Sequence, residues 1–187
     1  MATLRHQVAN VVSVLYTAVN LTLKKVVYPR NLHFCAVERF SPNVVVDVDR
    51  NSEIWLGKKV SIHSGSRIVA TSGGCIKIGD RTSFNVGCIV VCKERVEIGK
   101  KVSFGPNVMI YDHDHTMSEA DGVKHTPYKL GEVTIGDNTW VGAGAIILRG
   151  THIGKNCVIA AGSVVKGDVP DGTLLVQRRE NIVKRIV

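Results

Sequence analysis

Aromatic side chains are scarce in this sequence, at 5% of its 187 residues, and proline is sparse too, with five residues. Glycine and small β-branched residues are plentiful instead, which favours thin, regularly stacked strands over a large irregular core. No charged or proline-rich linker interrupts the chain, which is 44% hydrophobic. Length and composition therefore predict one main, all-β domain with end segments.

The cysteines include no CxxC pair, since the five of them lie at positions 35, 75, 88, 92 and 157. An odd, scattered set favours reduced thiols in the cytoplasm over a disulfide framework. Cys88 and Cys157 occupy a position of the repeat described below that elsewhere holds small residues. We therefore expect them to fill the core rather than to act as nucleophiles.

Acidic residues are outnumbered: 16 aspartates and glutamates stand against 24 lysines and arginines, for a formal charge of +8. Such a balance favours anionic partners, such as a phosphorylated cofactor, an acidic saccharide or an anionic membrane surface. We expect no nucleic-acid partner, because stacking aromatics and recognisable binding modules are both missing.

A long apolar run is missing as well, because residues 1–27 never reach about 18 uninterrupted apolar residues, and this argues against a spanning helix and a signal peptide. Apolar positions at three- and four-residue spacing instead predict an amphipathic helix over about residues 3–25, stopped by Pro29. We expect it to form a lid on the open end of the main domain or on a neighbouring subunit. An interfacial helix at the inner face of the membrane is the alternative, supported by Lys24, Lys25 and Arg30.

From Ile54 onward an aliphatic residue or Phe recurs every six residues. The members of the series are Leu56, Ile62, Ile68; Ile78, Phe84, Val90; Ile98, Phe104, Ile110; Ile135, Val141, Ile147; and Ile153, Ile159, Val165. Taken in threes, they predict five turns of a triangular prism, which is a parallel β-helix. We divide the chain into an amphipathic helix at 1–30, the β-helix at 31–170 with an inserted loop at 111–132, and a tail at 171–187.

The repeat is interrupted after Ile68, Val90 and Ile110, and every interruption follows the third strand of a turn. The insertions must therefore emerge along one edge of the prism, at the roughly 4.8 Å spacing of hydrogen-bonded strands. Such an edge is the natural place for a site. A glycine often follows the first apolar position of a turn. We expect it to adopt backbone angles that other residues resist, so that the chain can turn the corner. Small residues four positions past an apolar one, such as Ser66 and Ser72, should point inward.

The longest insertion is the loop at 111–132, and it contains three of the seven histidines of the chain. Its ionisable residues include Asp112, His113, Asp114, His115 and His125. Histidine is best suited to accept a proton near neutral pH, and a neighbouring aspartate can orient it. A solvated polar loop and a metal site are the other interpretations.

These features resemble the hexapeptide-repeat acyltransferases, whose repeat forms a left-handed β-helix against the usual crossover rule. The resemblance covers residues 54–170, and two stretches look like the galactoside, maltose and surface-polysaccharide O-acetyltransferases. They are Gly105-Pro106-Asn107-Val108 leading to His115, and residues 135–142. The resemblance implies acetyl transfer from acetyl-CoA to a saccharide hydroxyl in surface-polysaccharide modification, with no metal. We expect an acceptor that is lipid-linked or nucleotide-linked. We also expect a homotrimer, because the flat sides of a narrow prism bury little surface unless they pack on copies of themselves.

By this resemblance, His115 lies where the family has its general base. Acceptor contacts are implied for Asn85, Asp112 and His113. Contacts to CoA are implied for Trp140, Ala143, Ala161, Gly162 and Lys166. The chain departs from the family pattern near its end, where it reads Val176-Gln177-Arg178-Arg179-Glu180. Here Arg178 and Arg179 are expected to pair with CoA phosphates, because guanidinium groups bind phosphate bidentately.

Two other functions fit parts of the sequence. A carbonic anhydrase-like zinc protein would use His113, His115 and His125, since three neutral imidazoles satisfy a catalytic zinc. A non-catalytic solenoid would need only the repeats. The inserted histidines argue against the solenoid, and the context Thr139-Trp140-Val141-Gly142 favours acyl transfer over zinc chemistry.

Overall fold

The computed structural model describes residues 2–35, 38–120, 122–123, 127–178, 180, 183 and 185, with the backbone alone at 2–10. One helix, α1 (Ala2–Val27), precedes a left-handed parallel β-helix. The helix agrees with the predicted range within two residues at each end and stops before Pro29. No helix in the described ranges is long and apolar enough to cross a membrane.

Strands are numbered in chain order and form three faces of a prism. The first face has β1 (Leu32–His33), β4 (Glu53–Leu56), β7 (Cys75–Ile78), β10 (Arg95–Ile98), β15 (Val133–Ile135) and the ends of β17 (Ile146–Ile153) and β19 (Val164–Val169). The second has β2 (Arg39–Phe40), β5 (Ser61–Ile62), β8 (Ser83–Phe84), β11 (Ser103–Phe104), β16 (Trp140–Val141), β18 (Val158–Ile159) and β20 (Leu174–Leu175). The third has β3 (Val45–Val48), β6 (Arg67–Ala70), β9 (Ile89–Cys92), β12 (Met109–Tyr111) and the beginnings of β17 and β19. An antiparallel hairpin of β13 (His113–His115) and β14 (Tyr128–Leu130) projects from the prism.

The inward side chains of the three faces form one apolar core, and every member of the six-residue series predicted from the sequence is buried. The structure has about six turns rather than the predicted five. Leu32, Phe40 and Val46 form an additional first turn, in parallel register with the next one. Val169 and Leu175 continue the prism beyond the fifth predicted turn. The first turn keeps the six-residue spacing at Phe34, Phe40 and Val46, but Cys35 takes the place of the glycine that follows Leu56, so the turn lacks that part of the repeat signature.

The glycines between the first and second faces are needed for close packing rather than for unusual backbone angles, so that expectation was wrong. The left-handed conformation falls two residues later, as at Arg81 (φ 60°) and Asn138 (φ 58°). A Cβ on Gly79 or on Gly136 would lie 2.5 Å from a backbone carbon of the next turn. Only glycine therefore allows adjacent turns to approach at this corner.

Small side chains at the second inward position are buried as predicted, and their hydroxyls bond to the backbone of the next turn. Thr82 Oγ1 donates to the Gly99 carbonyl at 2.8 Å, and Ser66 Oγ donates to the Asn85 carbonyl at 3.0 Å. Ser72 does not follow this pattern, because it lies in the insertion after β6 and is exposed.

The rings of Phe84 and Phe104 stack in the core with centroids 4.6 Å apart. A substitution of Phe84 therefore tests the core packing. Phe84 is fully buried, so Phe84→Ala should lower the free energy of unfolding by about 3–5 kcal/mol, because neighbouring turns cannot collapse into the cavity. Ser83→Ala alters the adjacent outward position and should cost less than ~1 kcal/mol. Urea unfolding followed by circular dichroism, at one protein concentration, measures both. Equal losses would contradict the core position of Phe84.

Candidate active site

The insertions that follow the third face emerge along one edge of the prism, which confirms the prediction from the repeat. Backbone hydrogen bonds join this edge from turn to turn: Thr71 N donates to the Cys92 carbonyl at 2.9 Å, and Gly150 N donates to the Gly131 carbonyl at 3.0 Å. We call this line of insertions the third-to-first edge. The hairpin of β13 and β14 is its largest projection.

Asp112 fixes the start of the hairpin. Its side chain is fully buried, and its carboxylate accepts hydrogen bonds from the backbone amides of Lys93 (3.0 Å), Glu94 (2.7 Å) and Arg95 (2.9 Å). A buried carboxylate is stabilised by several such donors. The same carboxylate lies 2.9 Å from Nδ1 of His113. Asp112 therefore ties the first histidine of the hairpin to the insertion of the preceding turn.

His113 is nearly buried, and its ring is held by its neighbours. Its side chain is 10% exposed, and it meets the rings of Tyr111 and Tyr128 edge-on, with centroids 6.2 and 5.2 Å away. Together with the bond to Asp112, these contacts fix the ring orientation. His113 is thus the better oriented of the two β13 histidines.

His115 is exposed at the end of β13. Its ring centroid lies 4.7 Å from that of Tyr128, its cross-strand partner, and Lys93 Nζ lies 4.3 Å from the centroid of the same tyrosine. The tyrosine therefore supports His115 on one side while the imidazole stays accessible. His115 is the histidine of β13 that is more open to an incoming ligand.

An ion pair anchors the hairpin to the prism: Arg149 Nε lies 2.6 Å from an Asp114 carboxylate oxygen. Arg149 is on β17, at the level where the third face ends. Arg149, Tyr128 and Lys93 were not predicted from the sequence as site residues. For Arg149 and Lys93 a signal existed, because both directly follow the third strand of a turn, as the insertions do.

A second group of predicted residues lies at the corner between the second and third faces, which we call the second-to-third corner. Asn85 is exposed there in the second predicted turn, just after β8. Ala143 and the pair Ala161-Gly162 occupy the same corner in later turns, and Gly162 N donates to the Ala143 carbonyl at 2.8 Å. Trp140 is 56% exposed on the adjoining second face. The corner therefore presents a narrow line of small residues beside one large aromatic ring.

The predicted phosphate-binding residues lie near the last turn. Lys166 is exposed on β19. The Gln177 side chain accepts a hydrogen bond from Val164 N at 3.0 Å and donates to the Val164 carbonyl at 2.6 Å. Arg178 follows and is exposed, so it shares this end of the prism with Lys166. Arg179 lies outside the described residues.

Within the described ranges, no group of three or more His, Cys, Asp or Glu side chains could hold a metal ion. The zinc interpretation required His113, His115 and His125. His125 lies outside the described residues, so the structure describes only two of the three histidines that this interpretation needs, His113 and His115.

Cys88 and Cys92 are poorly suited to act as nucleophiles. Cys88 and Cys157 are buried, as expected for core residues. Burial raises the pKa of the Cys88 thiol and of the Cys92 thiol above the ordinary value. Because the thiolate is the reactive form, a raised pKa disfavours reaction near neutral pH.

A wide groove of about 850 Å³ runs along the first face, lined by residues that include Trp55, Lys77, Glu97 and Thr134. None of the site residues predicted from the sequence lines it. It arises where glycine corners leave the first face without bulky neighbours. We place the candidate site elsewhere, because the anchored histidines lie on the third-to-first edge.

One protomer does not bring all predicted acceptor residues together. His113 and His115 lie on the third-to-first edge, whereas Asn85 lies at the second-to-third corner with the predicted CoA residues. The full width of the third face separates the two groups. Within a single chain, the predicted site residues therefore lie in two separate groups.

Comparison with known proteins gives one family match and several relatives. The family described as bacterial transferase hexapeptide (six repeats) matches residues 132–167. A putative acetyltransferase of Saccharomyces cerevisiae, YJL218W, is 38% identical over 114 residues, or 61% of this chain and 58% of the yeast protein, so the chain spans little more than half of that relative. The putative lipopolysaccharide biosynthesis O-acetyl transferase WbbJ of Escherichia coli is 28% identical, covering 74% of each chain.

A solved maltose O-acetyltransferase from Clostridium difficile superposes with a TM-score of 0.51 at 29% identity, over 77% of this chain and 67% of that one. The galactoside O-acetyltransferase of Lactococcus lactis is 37% identical over 145 residues, which are 74% of this chain and 69% of the relative. Because that identity extends over more than two thirds of both sequences, the chain belongs to the hexapeptide-repeat acetyltransferase family.

Proposed function

We propose that this protein is an acetyl-CoA-dependent O-acetyltransferase that modifies a saccharide hydroxyl, with His115 as general base. The observation that carries the proposal is the accessible His115 on a hairpin anchored by Asp112 and Arg149, on a β-helix of an acetyltransferase family. A surface polysaccharide precursor, lipid-linked or nucleotide-linked, is the proposed acceptor, supported by the resemblance to WbbJ.

In the proposed reaction the acceptor hydroxyl gives its proton to the His115 imidazole while its oxygen attacks the thioester carbonyl carbon of acetyl-CoA. The tetrahedral intermediate then collapses, and the carbon–sulfur bond breaks. The imidazolium returns the proton to the departing CoA sulfur. The products are an acetyl ester and free CoA, so protons and bonds balance without a metal.

The remaining residues of the hairpin are assigned supporting roles. Asp112 is fully buried, so we revise its predicted acceptor contact to an orienting one, exerted through His113. His113 then forms a fixed wall of the acceptor pocket, beside Tyr128. Asn85 is the proposed polar contact to the acceptor from the opposite half of the site.

CoA is proposed to bind along the second-to-third corner. Small residues at Ala143, Ala161 and Gly162 leave room for the pantetheine arm, and the exposed Trp140 ring offers an apolar contact beside it. Lys166 and Arg178 lie towards the last turn and are suited to the phosphates, since ammonium and guanidinium groups bind phosphate oxygens. The thioester would then point along the corner towards Asn85.

A homotrimer is proposed because it joins the two halves of the site. The outward side chains of the third face are largely apolar, and they include Val69, Ile89, Val91, Met109, Ile146 and Leu148. If three parallel copies turn this face towards a common axis, the second-to-third corner of one copy meets the third-to-first edge of the next. We place the assembly in the cytoplasm, with a peripheral contact to the membrane.

Acyl transfer itself is tested by CoA release from acetyl-CoA across a panel of free sugars, nucleotide sugars and lipid-linked glycans. At least one acceptor class should raise the rate of free thiol formation above that of acetyl-CoA alone. An absence of acetyl-CoA binding by calorimetry would overturn the proposal.

The general base is tested by comparing His115→Ala with His113→Ala on the best acceptor. His115→Ala should lower turnover by about 10²–10⁴-fold and leave the affinity for acetyl-CoA nearly unchanged, because the base acts on the acceptor. His113→Ala should cost much less. If His113→Ala abolishes turnover while His115→Ala retains most of it, the base is His113.

The shared site is tested by mixing subunits that carry Asn85→Ala with subunits that carry His115→Ala. Light scattering should give three times the 20.3 kDa protomer mass. Mixed trimers of two impaired parents should regain activity at about one interface in four, where both intact residues meet. A monomeric mass, or mixed trimers no more active than the parents, would contradict a site between subunits.

A further inference from the structure

We propose that α1 docks the protein on an anionic lipid surface through an exposed apolar stripe formed by Val11, Val12, Leu15, Val19, Leu23, Val26 and Val27. This docking surface would account for the membrane contact in the proposed function, and it rests on the proposed function in that respect alone. Docking does not depend on acyl transfer.

The side of α1 that faces the β-helix is polar except for Leu21, which is buried in the apolar core, and the broader apolar side of the helix faces away. Thr17 Oγ1 accepts a hydrogen bond from Phe40 N at 2.8 Å, and Ser13 Oγ donates to the Phe40 carbonyl at 2.6 Å. Lys25 Nζ reaches the carbonyl of Leu32. These backbone groups belong to the first turn, whose strands have no preceding turn to pair with. The helix is therefore a lid, as expected, but it caps the prism end with hydroxyl groups.

The apolar residues of α1 are left on the opposite side. Residues two positions apart on an α-helix lie about 160° apart around its axis, so Leu15 and Val19 face away from Thr17. They are 62% exposed each, and every member of the stripe is at least 54% exposed. The residues recur at the three- and four-residue spacing of a single helix face. The stripe therefore points away from the end of the prism.

The charge of this region matches an anionic surface. Residues 1–37 contain no Asp or Glu but include Arg5, Lys24 and Arg30, besides Lys25, whose ammonium bonds to the prism. Basic residues beside a lipid surface contribute about 1 kcal/mol each, and an apolar helix face adds to that. Protein interfaces, in contrast, rely on anchors such as Trp, Tyr and Arg at their centre. The stripe consists only of Val and Leu, which favours lipid over a protein partner.

Vesicle co-sedimentation of the full-length protein tests the inference, with vesicles of phosphatidylcholine alone or of equal parts phosphatidylcholine and phosphatidylglycerol. The protein should bind the mixed vesicles, and binding should weaken in high salt. Leu15→Gln and Leu23→Gln each keep a good helix former, and each should lower the partition coefficient by roughly tenfold. Leu174→Gln is the matched control, because Leu174 is 65% exposed on β20 at the other end of the prism, and it should bind like the unaltered protein.

Three outcomes would overturn the inference. They are no binding to the mixed vesicles, an equal loss with Leu174→Gln, and a fall in oligomer mass with Leu15→Gln, which would make a second copy the occupant of the stripe. CoA release on a soluble acceptor is measured on the same samples. Unchanged release together with lost lipid binding separates failure of the docking surface from failure of the enzyme.

Discussion

Backbone hydrogen bonding between successive turns is the constraint on which the rest of the structure depends. Each turn donates to the next at a nearly constant spacing of roughly 4.8 Å, so residues at equivalent positions must lie directly above one another. Corners therefore become continuous lines of residues. A residue such as Gly79 has to be small because the next turn is always at the same distance. For the same reason, insertions that follow the third strand of different turns all emerge along the same edge.

The same constraint creates the chemistry of that edge. Because the insertion containing Lys93 lies directly next to the one containing Asp112, three backbone amides converge on a single buried carboxylate. A polar loop is thereby converted into a rigid hairpin. The two histidines of the hairpin then differ in exposure, although only one residue separates them. His113 is fixed within the edge, and His115 is presented outside it.

At the first turn of the prism, the hydrogen bonding between turns cannot be satisfied by a preceding turn. The hydroxyls of Ser13 and Thr17 on α1 bond to the backbone groups of that turn instead. Amphipathic periodicity predicted the helix and its length. It did not predict which side faces the core, because that rule assumes an apolar surface to be buried, whereas an exposed strand edge needs hydrogen-bonding groups.

Sequence reasoning succeeded where the repeat is strict and failed where contacts join distant segments. The six-residue period identified the core positions from Leu56 to Val165, but the first turn was not recognised, because Cys35 stands there in place of the glycine that follows Leu56. The separation of Asn85 from His115 follows from the sequence, because Asn85 follows a second-face strand and His115 follows a third-face strand. Tyr128 could not be assigned to the hairpin in the same way, since its partners depend on how the long insertion folds back.

A structure determined with bound CoA would show whether two edges of neighbouring prisms form one site. We predict a trimer in which the pantetheine arm lies along Ala143 and Ala161 of one subunit, with its sulfur directed towards His115 on the hairpin of the next. CoA lying in the first-face groove beside Trp55 and Lys77, within a single subunit, would contradict it.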